Sequence, residues 1–93
     1  MKLYEYNLKK ELNVIRKDCD WNLSDESALD FLITELFKQY GSQIVIRFHI
    51  SNQEDVFVAN PNFDFVHCDY CDTWSDVLRV LNNCEIFSVY DFS

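Results

Sequence analysis

The stretch Gln43–Ile50, QIVIRFHI, decides how this chain is expected to fold, because its large apolar residues alternate along the sequence. In an extended chain, Ile44, Ile46, Phe48 and Ile50 lie on one side, and Val45, Arg47 and His49 lie on the other. Such alternation predicts a strand with one face in the core and the other towards solvent. The strand therefore needs helices over one side of its sheet.

The sequence before this strand predicts those helices. Ser24 is a favourable N-cap, acidic residues follow it in the first turn, and Gly41 can end the helix in a left-handed conformation. Apolar residues at helical spacing between these two ends predict a helix over residues 25–40 (Leu29, Leu32, Ile33, Leu36 and Tyr40). A similar stripe predicts an earlier helix from about Asn7 to Cys19 (Leu8, Leu12, Ile15 and Cys19).

The other predicted elements are shorter and are separated by polar turns. Strands are expected at residues 3–6, 56–59, 63–66 and 84–92, and a helix capped by Thr73 is expected at 73–82. The last strand has apolar residues on both sides. This pattern is typical of a central strand, and the alternative is a strand covered by a second copy of the chain.

Together these elements predict a small α+β fold in one domain, residues 1–93. The expected order is roughly β-α-α-β-β-β-α-β, with an antiparallel meander of about four strands and two to three helices mainly on one face. The chain has 93 residues and no change in composition that would mark a second domain.

Negative charge is concentrated in the second half of the chain. The net charge is −8, and residues 48–93 contain eight acids but a single base, Arg79. Direct binding to nucleic acid or to a membrane surface is therefore disfavoured, and a basic macromolecular partner is favoured. The charged N-terminal stretch and the absence of a long apolar run lead us to expect a cytoplasmic protein, located in the host cell if a phage encodes it.

Two cysteines, Cys68 and Cys71, have the spacing of a zinc-binding pair. A zinc site also needs further ligands, and Cys84 is separated from Cys71 by a predicted helix of about 15 Å. Redox activity is disfavoured because the anionic Asp69 and Asp72 oppose formation of a thiolate. We therefore expect no metal and no cofactor, and a zinc-stabilised interaction module centred on the two cysteines is kept as an alternative.

Acidic and aromatic residues around these cysteines form the predicted partner-binding site. Carboxylates spaced along a loop and a helix start can present charge much as a phosphate backbone does, while aromatic side chains anchor an interface. The predicted site residues are Glu54, Asp55, Asp64, Asp69, Tyr70, Asp72, Trp74 and Asp76.

Catalysis has little support in the sequence, so we expect no enzyme. His49 is expected to be a solvated side chain, no nucleophile motif is present, and a single glycine excludes glycine-rich phosphate loops. The function predicted is a non-enzymatic inhibitor that docks on the basic groove of a nuclease or nucleic-acid-binding protein, with nucleic-acid mimicry as one form of this. By charge and size the protein is similar to phage counter-defence proteins of the anti-CRISPR or anti-restriction type.

Two further functions fit the same sequence. One is an immunity protein for a nuclease toxin, which would use the same attraction between an acidic surface and a basic one. The other is a homodimeric structural subunit, in which the last strand is covered by a second copy. The chain is accordingly expected to be a monomer or a homodimer.

Overall fold

The computed structural model of the chain describes residues 1–41, 43–59, 65–67 and 74–93, with backbone only at 65–67 and 74. Three helices and five strands lie within these ranges, in the predicted order β-α-α-β-β-β-α-β. They are β1 (Lys2–Asn7), α1 (Leu8–Asp18), α2 (Asp25–Tyr40), β2 (Ile44–Ile50), β3 (Val56–Val58), β4 (Phe65–His67), α3 (Trp74–Leu81) and β5 (Cys84–Asp91). The predicted α+β class and element order are confirmed.

The strands form one antiparallel sheet in the order β1-β5-β2-β3-β4. Strands β2, β3 and β4 follow one another as the predicted meander. The last strand, β5, lies between β1 and β2 and pairs with both of them. This central position accounts for the apolar residues on both sides of β5.

The hydrophobic core lies between the helices and one face of this sheet, which we call the inner face. Alternate residues of β2 are buried there, and Val56, Val58, Phe87 and Val89 complete the layer. The Phe87 ring lies 5.5 Å from the Phe48 ring and 5.2 Å from the Tyr6 ring, so three neighbouring strands meet at this residue. Aromatic pairs at these separations add to the stabilisation that burial provides.

The helix ends follow the predicted capping residues. The Ser24 side chain accepts a hydrogen bond of 3.1 Å from the Ser27 N–H at the start of α2. Gly41 ends the helix with φ of +85°, and its N–H donates to the Phe37 carbonyl at 2.9 Å. At the start of α1, the Asn7 side chain accepts a hydrogen bond of 2.9 Å from the Lys10 N–H.

Several element boundaries differ from the sequence prediction by one or two residues. Helix α1 ends at Asp18, and Cys19 is an exposed C-cap residue, so the buried part of its stripe stops at Ile15. Strand β4 spans Phe65–His67 instead of residues 63–66, because its register is set by pairing with β3. Thr73, the predicted cap of the third helix, lies outside the described residues.

Truncating Phe87 should strongly destabilise the fold, because its ring is fully buried where β1, β5 and β2 meet. We expect Phe87→Ala to lower the free energy of unfolding by about 3–5 kcal/mol. Urea denaturation measures the effect. The matched control is Phe31→Ala, because the Phe31 side chain is 47% exposed on α2. Similar losses from both variants would contradict this account of the core.

Candidate functional site

The sheet face that points away from the core, which we call the outer face, carries a row of residues from β1, β5, β2 and β3. Strand pairing aligns Glu5, Ser88, Arg47 and Phe57, in that order. Residues directly opposite each other on antiparallel strands share one side of a sheet. Strand pairing therefore places side chains that are distant in the sequence close enough to interact across the row.

Arg47 is at the centre of a polar network on this face. Its Nε donates to Asp55 Oδ2 at 2.7 Å, and its Nη1 donates to the Tyr90 hydroxyl at 3.1 Å. The guanidinium carbon also lies 5.5 Å from the centre of the Phe57 ring, within cation–π range. The Arg47 side chain is 37% exposed and that of Asp55 is 17% exposed, so this ion pair is partly shielded from water.

His49 extends the network towards β5. Its Nε2 lies 2.7 Å from Ser88 Oγ, and its Nδ1 lies 3.6 Å from Asp55 Oδ2. The His49 side chain is partly exposed to solvent, at 37%, and it also contacts Ser88 because the insertion of β5 places a hydroxyl beside the ring. The order of these groups is that of a serine hydrolase triad, but Ser88 is only 2% exposed and cannot meet a substrate. The arrangement links β2 to β5.

Asp55 stays ionised because the groups around it favour the carboxylate. Desolvation is the largest single influence and by itself would raise the pKa of Asp55. Hydrogen bonds from the Ile50 N–H, at 3.0 Å, and from Arg47 outweigh it, together with electrostatic interactions with Arg47 and His49. The resulting pKa of Asp55 lies below its ordinary value of 3.8. The pKa of Arg47 is raised, first by its bond to Tyr90 and then by its bond to Asp55.

The structure describes four of the eight predicted partner-binding residues, and they occupy two different elements. Glu54 and Asp55 lie in the turn between β2 and β3, whereas Trp74 and Asp76 lie in the first turn of α3. Asp76 receives a hydrogen bond of 2.7 Å from Arg79, one turn further along α3. The other four predicted residues lie outside the described ranges (Asp64, Asp69, Tyr70 and Asp72). The assignment of these eight residues to a binding site remains a prediction.

Two exposed acids that are distant in the sequence, Glu54 and Glu85, lie on neighbouring segments at one end of the sheet. Ile50 at the end of β2 pairs with Cys84 at the start of β5, and the Ser51 N–H lies 3.5 Å from the Asn83 carbonyl. The turn that carries Glu54 therefore lies beside the strand start that carries Glu85. Sequence spacing could not indicate this proximity.

The candidate zinc ligands, Cys68 and Cys71, lie outside the described residues. Within the parts of the chain that the structure does describe, no three His, Cys, Asp or Glu side chains come together as metal ligands. Cys84 follows α3, as expected, and is buried. Burial is the main influence that raises the pKa of its thiol to about 11. Cys84 therefore remains a neutral thiol at physiological pH.

The chain shows no similarity that would indicate its function. No protein-family model, curated protein or solved structure matches it. No helix within the described ranges has the length and apolar content needed to cross a membrane. The function must therefore be argued from the charges and contacts described above.

Asp55→Asn should destabilise the protein at neutral pH, because the substitution removes the carboxylate that accepts from Ile50 and pairs with Arg47. We expect the free energy of unfolding to fall by about 1–3 kcal/mol at pH 7. The stabilisation by Asp55 is fully present above its unfolded pKa and is lost as the pH falls through the lower folded value. The difference in stability between the wild type and the variant should therefore begin to shrink as the pH approaches about 3.8, and it should disappear only below the lower folded pKa of Asp55.

Urea denaturation between pH 7 and pH 2 measures this difference. Asp30→Asn is the matched control, because Asp30 is exposed on α2 and should change stability by less than about 0.5 kcal/mol. Equal effects of the two substitutions at pH 7 would show that the network around Arg47 does not stabilise the fold.

Proposed function

We propose that this protein is a non-enzymatic inhibitor that docks its acidic surface on the basic groove of a nuclease or nucleic-acid-binding protein. The observation that carries the proposal is the segregation of charge. From Gly41 onward the chain has eight acids and only two bases, Arg47 and Arg79. Both of these arginines are already paired with aspartates of the same region, Asp55 and Asp76.

The remaining bases lie on the first three elements of the fold. All eight bases are within the described residues, and six of them are on β1, α1 and α2 (Lys2, Lys9, Lys10, Arg16, Lys17 and Lys38). An internal ion pair cancels two charges at short range but leaves the net charge of the region unchanged. The region after α2 therefore keeps an excess of six negative charges, which can attract a cationic surface over about one Debye length, roughly 10 Å.

The position of Glu54 and Glu85 supports one acidic surface assembled from separate segments. Both residues are exposed, and their segments adjoin at one end of the sheet. Asp69 and Asp72 belong to the same proposed surface on the grounds of sequence, with Tyr70 and Trp74 as its aromatic anchors. Charged groups of this kind mainly accelerate association, and aromatic anchors slow dissociation.

Inhibitors of defence nucleases and immunity proteins for nuclease toxins share this docking mechanism. They differ in the partner that is captured. Affinity capture from a lysate at 50 mM and 500 mM NaCl, followed by mass spectrometry, would identify partners that are retained only at low salt. The nuclease activity of the purified partner would then be measured with and without this protein.

Charge reversal tests whether the acidic surface is responsible. The variant Asp69→Lys/Asp72→Lys/Glu85→Lys should associate with the captured partner roughly 10- to 1,000-fold more slowly than the wild type. The reason is that the three lysines replace electrostatic attraction to the cationic partner by repulsion at the proposed interface. Stopped-flow or biosensor kinetics at several salt concentrations would measure the rate.

A control variant with the same change in net charge distinguishes the effect of a local acidic surface on the association rate from the effect of overall charge. The variant Asp18→Lys/Asp30→Lys/Glu35→Lys reverses three exposed acids on α1 and α2. It should slow association far less than the first triple variant. Equal slowing by both would show that only net charge matters, and normal binding by the first variant would refute the proposed site.

A further inference from the structure

A cavity of about 330 Å³ lies on the helical side of the molecule, away from the outer face of the sheet. Three helices and the start of β5 enclose it, and its floor is apolar (Leu8, Leu12, Leu29, Leu78, Leu81 and Cys84). Leu8, Leu29, Leu81 and Cys84 are all buried. Ligand pockets in proteins begin at about 300 Å³ and combine such apolar walls with a few polar groups.

The rim of the cavity has a charge opposite to that of the whole protein. Its charged residues are Lys9, Arg16 and Asp25, which give a local charge of +1 in a chain of net charge −8. The amides of Asn13 and Asn82 also line it and can donate hydrogen bonds. An anionic head group would therefore meet its most favourable environment here.

Lys9 and Arg16 differ in their freedom to bind a ligand. Arg16 donates from Nε to the Leu23 carbonyl at 3.2 Å and from a terminal nitrogen to Asp25, so its guanidinium is held in place. Lys9 is exposed and forms no ion pair with another residue of the described structure. The ammonium group of Lys9 is therefore the cation available at the mouth of the cavity.

We propose that this cavity binds a small amphiphile with a single carboxylate, its apolar chain on the leucine floor and its head group on Lys9. A cavity of about 150 Å³ holds one benzene ring, so 330 Å³ suits a ligand of roughly twelve non-hydrogen atoms. Decanoate has this size and chemistry. The inference does not depend on the proposed inhibitory function, because the acidic surface lies on other residues.

Calorimetric titration of the full chain with decanoate tests the proposal, with decanol as the uncharged probe of the same length. For a ligand of this size we expect a dissociation constant of roughly 10–100 μM for decanoate. Lys9→Glu should weaken decanoate binding about tenfold or more and leave decanol binding nearly unchanged, because only the charged head group uses Lys9.

Lys10→Glu is the matched control, since Lys10 is the next residue of the same helix and does not line the cavity. It should leave decanoate binding within about twofold of the wild type. Leu78→Trp should abolish binding of both probes by filling the cavity, and methyl NMR shifts should map to the floor leucines in the wild type. The proposal is overturned if decanoate shows no saturable binding below 1 mM, if decanol binds equally well, or if both lysine variants weaken binding equally.

Discussion

The insertion of β5 between β1 and β2 is the constraint on which the rest of the structure depends. One face of this strand places Phe87 and Val89 in the core, beside Phe48 and Ile46 of β2. The other face places Ser88 and Tyr90 beside His49 and Arg47. A strand that pairs on both edges has its backbone hydrogen bonds satisfied within the sheet, and it contributes its side chains to two different layers.

The insertion of β5 also determines which polar side chains can interact with each other on the outer face of the sheet. Arg47 lies on the outer face of the sheet, and there it is held by Asp55 from a turn and by Tyr90 from the far end of the chain. Ionic and hydrogen-bonded groups at a partly exposed position retain some hydration, so the desolvation cost is smaller than in a core. This network organises the outer face and ties the turn after β2 to the sheet. The neighbouring acids, Glu54 and Glu85, remain exposed.

The acidic surface and the cavity use different charged residues and lead to different proposals. The excess of negative charge follows the part of the chain after α2, whereas the cationic rim of the cavity is built from α1. An acidic protein that attracts a basic macromolecule can therefore also have one locally positive site for a small anion. Because the two proposals depend on different side chains, each can be tested by substitutions that leave the residues of the other unchanged.

Local sequence patterns were sufficient to predict most elements of this fold. Helix α2 has the predicted limits because capping residues and apolar spacing agree, and β2 has the predicted alternation of buried and partly exposed residues. The limits of short elements depend more on tertiary contacts, since β4 has only three residues and its limits are set by pairing with β3. Cys19 was wrongly included in a buried stripe, because helical spacing does not indicate where the core ends.

The element order, the buried face of β2 and the excess of acids after α2 follow from the sequence, because spacing, capping and formal charge are local properties of the chain. The fold was needed to show that β5 lies between β1 and β2, that His49 contacts Ser88, and that Lys9 lies at the mouth of an apolar cavity. Each of these depends on strand order or helix packing between residues that are distant in sequence, and the alternation of apolar residues leaves those pairings open.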